Sequence, residues 1–183
     1  MATTTATNSF TQRVIGALAL DAAIYEEVEA DATATGQALT VVLLSSLAAG
    51  IGSRGLVGTS LVGILFISVV ALIAWAAWAL LVFQIGSRIL PEPDTRADVG
   101  QLLRTIGFAA SPGLMRVLGV MSAATIPVFV VTAVWMLAAM IVGVRQALDY
   151  HSTARAVTVC VLGWILAAAI AVVLGLFFGP TVS

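Results

Sequence analysis

Charge is what this sequence has least of. Only 9% of its 183 residues are charged, lysine does not occur, and all eight basic residues are scattered arginines. A soluble domain carries about 25% charged and about 45–50% apolar residues. This chain is 61% hydrophobic with a mean hydropathy of +1.11. Those proportions exclude an ordinary soluble protein, and a disordered one as well, because disordered chains are polar and charged. With no basic run and a net charge of −1, nucleic-acid binding has no electrostatic footing. The single cysteine, Cys160, lies inside an apolar run, which excludes a disulfide within the chain. One histidine, His151, with scattered carboxylates gives no metal-ligand spacing, so no metal and no cofactor is expected. Residues 1–9 are rich in Thr and Ala and lack the basic-then-apolar order of a secretory signal, so none is expected there.

What the chain has in abundance is long apolar stretches. Five are expected to be transmembrane helices, at about 37–52, 56–85, 99–120, 123–144 and 156–178. The first is short, on the order of 24 Å as a helix. It can cross a core of about 30 Å by thinning the bilayer or by being sheltered by its neighbours. Trp75 and Trp78 are expected to mark the exit of the second into the headgroup region. The third carries Arg104 and Arg116 near its ends and is interrupted by Ser111-Pro112-Gly113. Proline removes a helix hydrogen bond, so this stretch reads as a bent crossing or, alternatively, a re-entrant hairpin. Five crossings place six arginines on the side of the N-terminus (13, 88, 96, 104, 145 and 155) and leave Arg54 and Arg116 opposite. A third stretch that doubles back makes the count five against three. The positive-inside rule favours five crossings, with the N-terminus cytoplasmic and the C-terminus outside.

Ahead of the spans lies an N-terminal region, 1–36, with an amphipathic acidic helix; a short tail, 179–183, follows them. Ser9 and Gln12 have the spacing of a capping box. Phe10, Val14, Ala17, Ile24 and Val28 then share a face, but Asp21 falls on that same face. Asp21 capping a second helix resolves the conflict. The helix, single or double, lies on the bilayer or docks against the spans. The expected fold is all-α: a polytopic helical bundle of five spans plus this amphipathic helix.

Chemistry inside a membrane needs ionisable or nucleophilic groups held at depth. No Asp or Glu lies within the first, second, fourth or fifth stretch. That removes paired-carboxylate proteolysis and most proton-coupled transport. No nucleophile elbow, phosphate loop or zinc helix occurs, so no catalytic residues are expected. His151 reads as a loop histidine rather than a ligand, and Cys160 as an inert buried thiol rather than a lipidation site.

Three constellations remain. Tyr25, Glu26, Glu27, Glu29 and Asp31 form the densest charge run, readable as a solvated helix face or as a docking surface for a partner. Gly163, Ala167, Ala171, Gly175 and Gly179 recur at every fourth position, the spacing of a close-packed seam for another helix. Arg104 and Arg116 are candidates for lipid headgroup contacts or for plain snorkelling.

The acidic YEEVEAD at 25–31, LPEPDTRADVGQLLRTIGFAASPG at 90–113 and VRQALDYHSTARAV at 144–157, taken with the five-span layout, resemble the Yip (Ypt-interacting protein) family, specifically its small prokaryotic members. The resemblance covers about residues 10–178. It implies a cytoplasmic N-terminal region, five spans, no enzymatic activity and association with other membrane proteins. Eukaryotic members bind Rab-type GTPases. This chain lacks their long polar N-terminal region and their Asp-Leu-Tyr-Gly-Pro motif, which puts a GTPase partner in doubt.

The reading is a non-enzymatic interaction, scaffold or membrane-organising protein of the cell membrane, in a bacterium the inner membrane. Its expected partners are the lipid bilayer and other membrane proteins or further copies of itself. The alternatives are an accessory subunit of a large bioenergetic or photosynthetic complex and, third, a transporter of a small neutral solute.

Overall fold

The computed structural model describes residues 8–54, 60–93, 95, 98–121 and 123–178, without the side chains of 171 and 173–178. Among these residues the chain is helical throughout. The N-terminal region begins with α1 (Phe10–Leu18), where the Ser9 hydroxyl accepts from Gln12 N and the Gln12 side chain accepts from Ser9 N, the expected capping box. The chain turns at Leu20, which takes a φ of 62°, and Asp21 then caps α2 (Ala22–Ala30) by accepting from Ala23 N at 3.0 Å. The acidic run therefore belongs to a second short helix folded back on the first. The apolar stripe is shared between the two helices, and the hairpin docks on the spans.

Asp31 caps a single 3-10 turn, Ala32–Ala34, and α3 (Thr35–Gly52) follows. This helix starts before the apolar stretch does, and together with the turn it forms a continuous 21-residue candidate span, Ala32–Gly52. Half of it is buried against neighbours, the shelter a short apolar stretch needs. Three further candidate spans are α4 (Leu61–Gln84, extended by a π turn, Ile85–Ile89), α6 (Thr125–Ala147) and α7 (Thr153–Phe178, counted to Ile170). Residues 56–59 of the second expected stretch and 179–183 of the tail lie outside the described residues. Four helices long and apolar enough to cross a bilayer define a helical integral membrane protein. Leu61, Val62, Phe66, Ile73, Val134 and Ile165 project outward, as side chains facing hydrocarbon do.

The third apolar stretch is built differently. Asp98 caps α5 (Val99–Ala109), and from Ser111 to Val120 the chain continues as a 3-10 helix, with Pro112 in its first turn. The break falls where the sequence places it. The stretch does not reverse within its length. A Cβ placed on Gly107 would lie 2.8 Å from the Ala38 Cβ; on Gly113, 2.0 Å from the Ser45 Oγ; and on Gly52, 2.0 Å from the Arg116 carbonyl oxygen. On its other side Thr105 meets Gly143, Gly113 meets Met136, and Gly119 meets Phe129. The segment thus runs parallel to α3 and antiparallel to α6 along the length of both. Gly107 and Gly113 are what permit this approach, since a side chain at either would collide.

A fully buried part of the core lies where the N-terminal hairpin meets α5 and α6, around Tyr25, Val28, Leu102, Ile106, Phe108 and Val144. Trp135 Nε1 donates to Leu18 O at 2.9 Å and ties the end of α1 to α6. Arg13, only 2% exposed, locks the hairpin itself. Its guanidinium donates to Glu27 Oε1 (2.9 Å), Gln37 Oε1 (3.0 Å) and Asp31 Oδ2 (2.6 Å). The Thr33 hydroxyl and Arg13 hold the Asp31 carboxyl down to about 2. A buried arginine deprived of its carboxylates, or the reverse, leaves an uncompensated charge.

Two outcomes follow. Arg13→Met is expected to destabilise the chain by about 2–3 kcal/mol, read from unfolding in detergent. The value lies at or below the fully buried case because Glu27 and Asp31 keep 23% and 21% of their surface. The Asp31 contribution should be intact above about pH 3.8 and lost as pH falls toward 2, because its carboxyl is depressed only in the folded chain. An acid unfolding curve unchanged by Asp31→Asn would refute that assignment.

Candidate functional site

Helix α2, the C-terminal turn of α6 and the loop between α6 and α7 converge on one end of the bundle and enclose a cavity of about 740 Å³. Glu26 and Glu29 come from α2, Arg145 and Gln146 from the last turn of α6, and Asp149, Tyr150 and His151 from the loop. The loop is held in shape from several directions. Asp149 takes a φ of 51°, and Arg145 Nε donates to Tyr150 O at 3.3 Å. The Tyr150 hydroxyl sits 2.8 Å from both Gly86 O and Leu90 O, carbonyls at the end of α4. His151 N donates to Glu92 Oε2, and Arg155 donates to Pro91 O while pairing with Glu92. The two polar loops that flank the spans are thereby fastened to each other. Asp94 and Arg96, between them in sequence, lie outside the described residues.

The electrostatics of the cavity are negative. Three carboxylates, Glu26, Glu29 and Asp149, face it against one guanidinium, Arg145. Glu26 accepts from Gln146 Nε2 at 2.7 Å, whereas among the described residues no hydrogen bond reaches the side chains of Glu29 or Asp149. Burial, and after it the neighbouring Asp149 carboxylate, push Glu29 up to about 7, with Arg104 pulling the other way. No group of three metal-ligating side chains occurs among the described residues. The arrangement suits recognition of a cationic or hydrogen-bond-donating segment.

The acidic run expected to act as one surface is divided. Glu26 and Glu29 face the cavity, while Glu27 and Asp31 are taken up by Arg13. Tyr25 is fully buried, its hydroxyl donating to Ala17 O at 3.2 Å, so it presents nothing to a partner. The reason is helical geometry: in a nine-residue helix, neighbours in sequence point in different directions. Asp149 and Gln146 belong to the cavity yet lie far from the acidic run in sequence; they come from the polar loop Arg145–Arg155, which the sequence offers as contact surface alongside the acidic helix.

Arg104 also departs from expectation. It is buried and donates to the carbonyls of Val28 (3.0 Å) and Glu29, the unpaired acceptors at the C-terminus of α2. It caps that helix from within the chain. Arg116 lies within the bundle, its guanidinium 5.4 Å from the Phe129 ring centroid and 3.4 Å from Thr132 Oγ1. Trp78, expected at the bilayer exit, is 5% exposed and packs on Gly163 of α7, so it faces a helix and turns away from the headgroups. That contact gives the first position of the small-residue stripe a partner within this chain, α4. Ala167 packs on the same core; the side chain of Ala171, the environment of Gly175 and all of Gly179 lie outside the description. Cys160 is buried in the core.

No family model, curated protein or solved structure matches the chain. The fold and composition therefore stand for its class, a helical integral membrane protein.

Glu29 sets a pH test whose sign is opposite to that of Asp31. Its carboxyl is raised in the folded chain, so it costs nothing where both states are protonated and destabilises increasingly as pH rises from 4.5 to about 7. Glu29→Gln is expected to raise the unfolding midpoint at about pH 8 and to leave it unchanged at about pH 4. Equal effects at both values would show that charge is not the cause.

Proposed function

We propose that this chain is a non-enzymatic membrane protein that crosses the bilayer five times and docks a partner through the acidic cavity at its cytoplasmic end. The observation that carries the reading is the convergence of Glu26, Glu29 and Asp149, two of them without a hydrogen bond, on one open cavity. Carboxylates held together at a cost are stabilised when a cation arrives. The partner is accordingly a cytoplasmic segment rich in Arg or Lys, carried by another membrane protein, since this chain has no basic run of its own. This agrees with the Yip resemblance in its class and its lack of catalysis, and the cell membrane, in a bacterium the inner membrane, is its place.

Support for five crossings comes from residues 99–120, which accompany α3 and α6 along their lengths and break their helix only where other helices surround it. The distribution of arginines adds the orientation, with the N-terminus and the acidic cavity inside and the C-terminus outside.

Two experiments test these statements separately. In a Cys160→Ala background, a cysteine at Met121 should react with an impermeant maleimide from outside and one at Ser152 only from inside. The reverse pattern would overturn the proposed topology, in its crossing number or its orientation. For the docking site, Glu26→Gln with Asp149→Asn should weaken binding of a synthetic oligo-arginine peptide to the purified protein by about tenfold or more. Insertion should stay unaltered, and the unfolding midpoint should not fall, because removing the two charges beside Glu29 relieves repulsion. Undiminished binding would remove the cavity from the mechanism.

A further inference from the structure

A second cavity, remote from the acidic one, lies between α4, α6, α7 and the 3-10 segment and is open along its outer side, where Trp164 is 46% exposed. It encloses about 410 Å³, and its walls include Trp75, Trp78, Met136, Met140, Trp164 and Arg116. Trp75 and Trp164 sit in the middle third of α4 and α7, so the cavity opens at hydrocarbon depth. A smaller void of about 30 Å³ adjoins it, lined among others by Ser45, Ser46, Trp75 and Arg116. Arg116 and Trp75 belong to both, and through them the apolar chamber continues into a polar pocket.

The polar pocket holds donors and no acceptor of matching charge. Among the described residues Arg116 reaches only the Phe129 face and the Thr132 hydroxyl, the latter at the long distance of 3.4 Å, and most of its five N–H groups find no partner there. The Trp75 Nε1 is buried and unpaired. Ser45 and Ser46 are buried, and neither hydroxyl makes a hydrogen bond among the described residues. No Asp or Glu occurs between Asp31 and Glu92 or between Asp98 and Asp149, so the spans hold no counter-charge for this guanidinium. A cation at that depth is costly unless it is paired, and buried polar groups are ordinarily satisfied.

We infer that the cavity binds a single-chain anionic amphiphile of the fatty-acid class, with its carboxylate on Arg116 and the Trp75 indole N–H and its acyl chain in the chamber walled by Trp78, Met140 and Trp164. The charge of the ligand is the one the site lacks. A volume of about 410 Å³ lies at the lower end of small-ligand sites and suits one acyl chain better than two. This proposal is independent of the docking reading.

Three of the four tryptophans line the chamber, so intrinsic fluorescence reports on it directly. Purified protein in neutral detergent should be titrated with oleate, with oleyl alcohol as the uncharged isostere, and with a diacyl phosphatidylglycerol. Oleate is expected to change the emission saturably at one molecule per chain, and oleyl alcohol to bind about tenfold or more weakly. In Arg116→Gln the two should become equal. Ala74→Leu, which fills the chamber and keeps the cation, should weaken both and remains informative if the arginine variant does not fold. Equal binding of oleate and oleyl alcohol to the unmodified chain, or no saturable signal, overturns the proposal. Diacyl lipid binding as well as oleate overturns the single-chain assignment.

Discussion

A backbone group left unpaired in hydrocarbon is too costly to tolerate, and the helix break at residues 110–112 is where this chain meets that constraint. The break is handled by local bonds and by enclosure. Ala110 N donates to Gly107 O, Gly113 N to Ala110 O, and the Ser111 hydroxyl to Phe108 O. Residues 104–113 are buried without interruption. Enclosure requires helices on both sides, and α3 and α6 supply them. Close enclosure in turn requires small residues at the contacts, and Gly107 against Ala38 and Gly113 against Ser45 meet that need. The centre of the bundle is organised around its least regular segment, and α4, α6 and α7 keep most of their surface on the outside.

Three arginines removed from water show how differently one side chain can be accommodated. Arg13 is paired with carboxylates and fastens α1 to α2. Arg104 has no carboxylate bond and is satisfied by the backbone carbonyls at the end of α2, where the helix dipole is negative. Arg116 has an aromatic face and one hydroxyl. The first two stabilise the hairpin and its seat on α5, and through them the position of Glu26 and Glu29 at the cavity mouth. The third is the one whose environment is incomplete within the chain, which is why it carries a ligand proposal and the others do not.

Much of the local structure was legible. Ser9 with Gln12, Asp21 and Asp98 start helices because a cap is made within a few residues and needs no distant help. Pro112 ends α-helical bonding for an equally local reason. Trp78 turns inward because an indole at a helix position serves an interface belt or a helix contact equally well, and Gly163 on α7 decides the matter. The acidic run was legible as charge and illegible as a surface. Whether Glu27 meets solvent or Arg13 depends on a turn at Leu20 that brings residues fourteen apart together.

By itself the sequence determined that this is a helical membrane protein, where its helices begin, and where one of them breaks. Each of those follows from hydrophobicity summed over a window or from bonds between near neighbours. Only the tertiary structure decided which charges are spent on the fold and which remain to act. Arg104 finds its acceptors 75 and 76 residues away, and Gln146 finds Glu26 at a separation of 120. Such pairings are set by how helices pack, and helix packing in lipid turns on the shapes of small residues rather than on any pattern of charge.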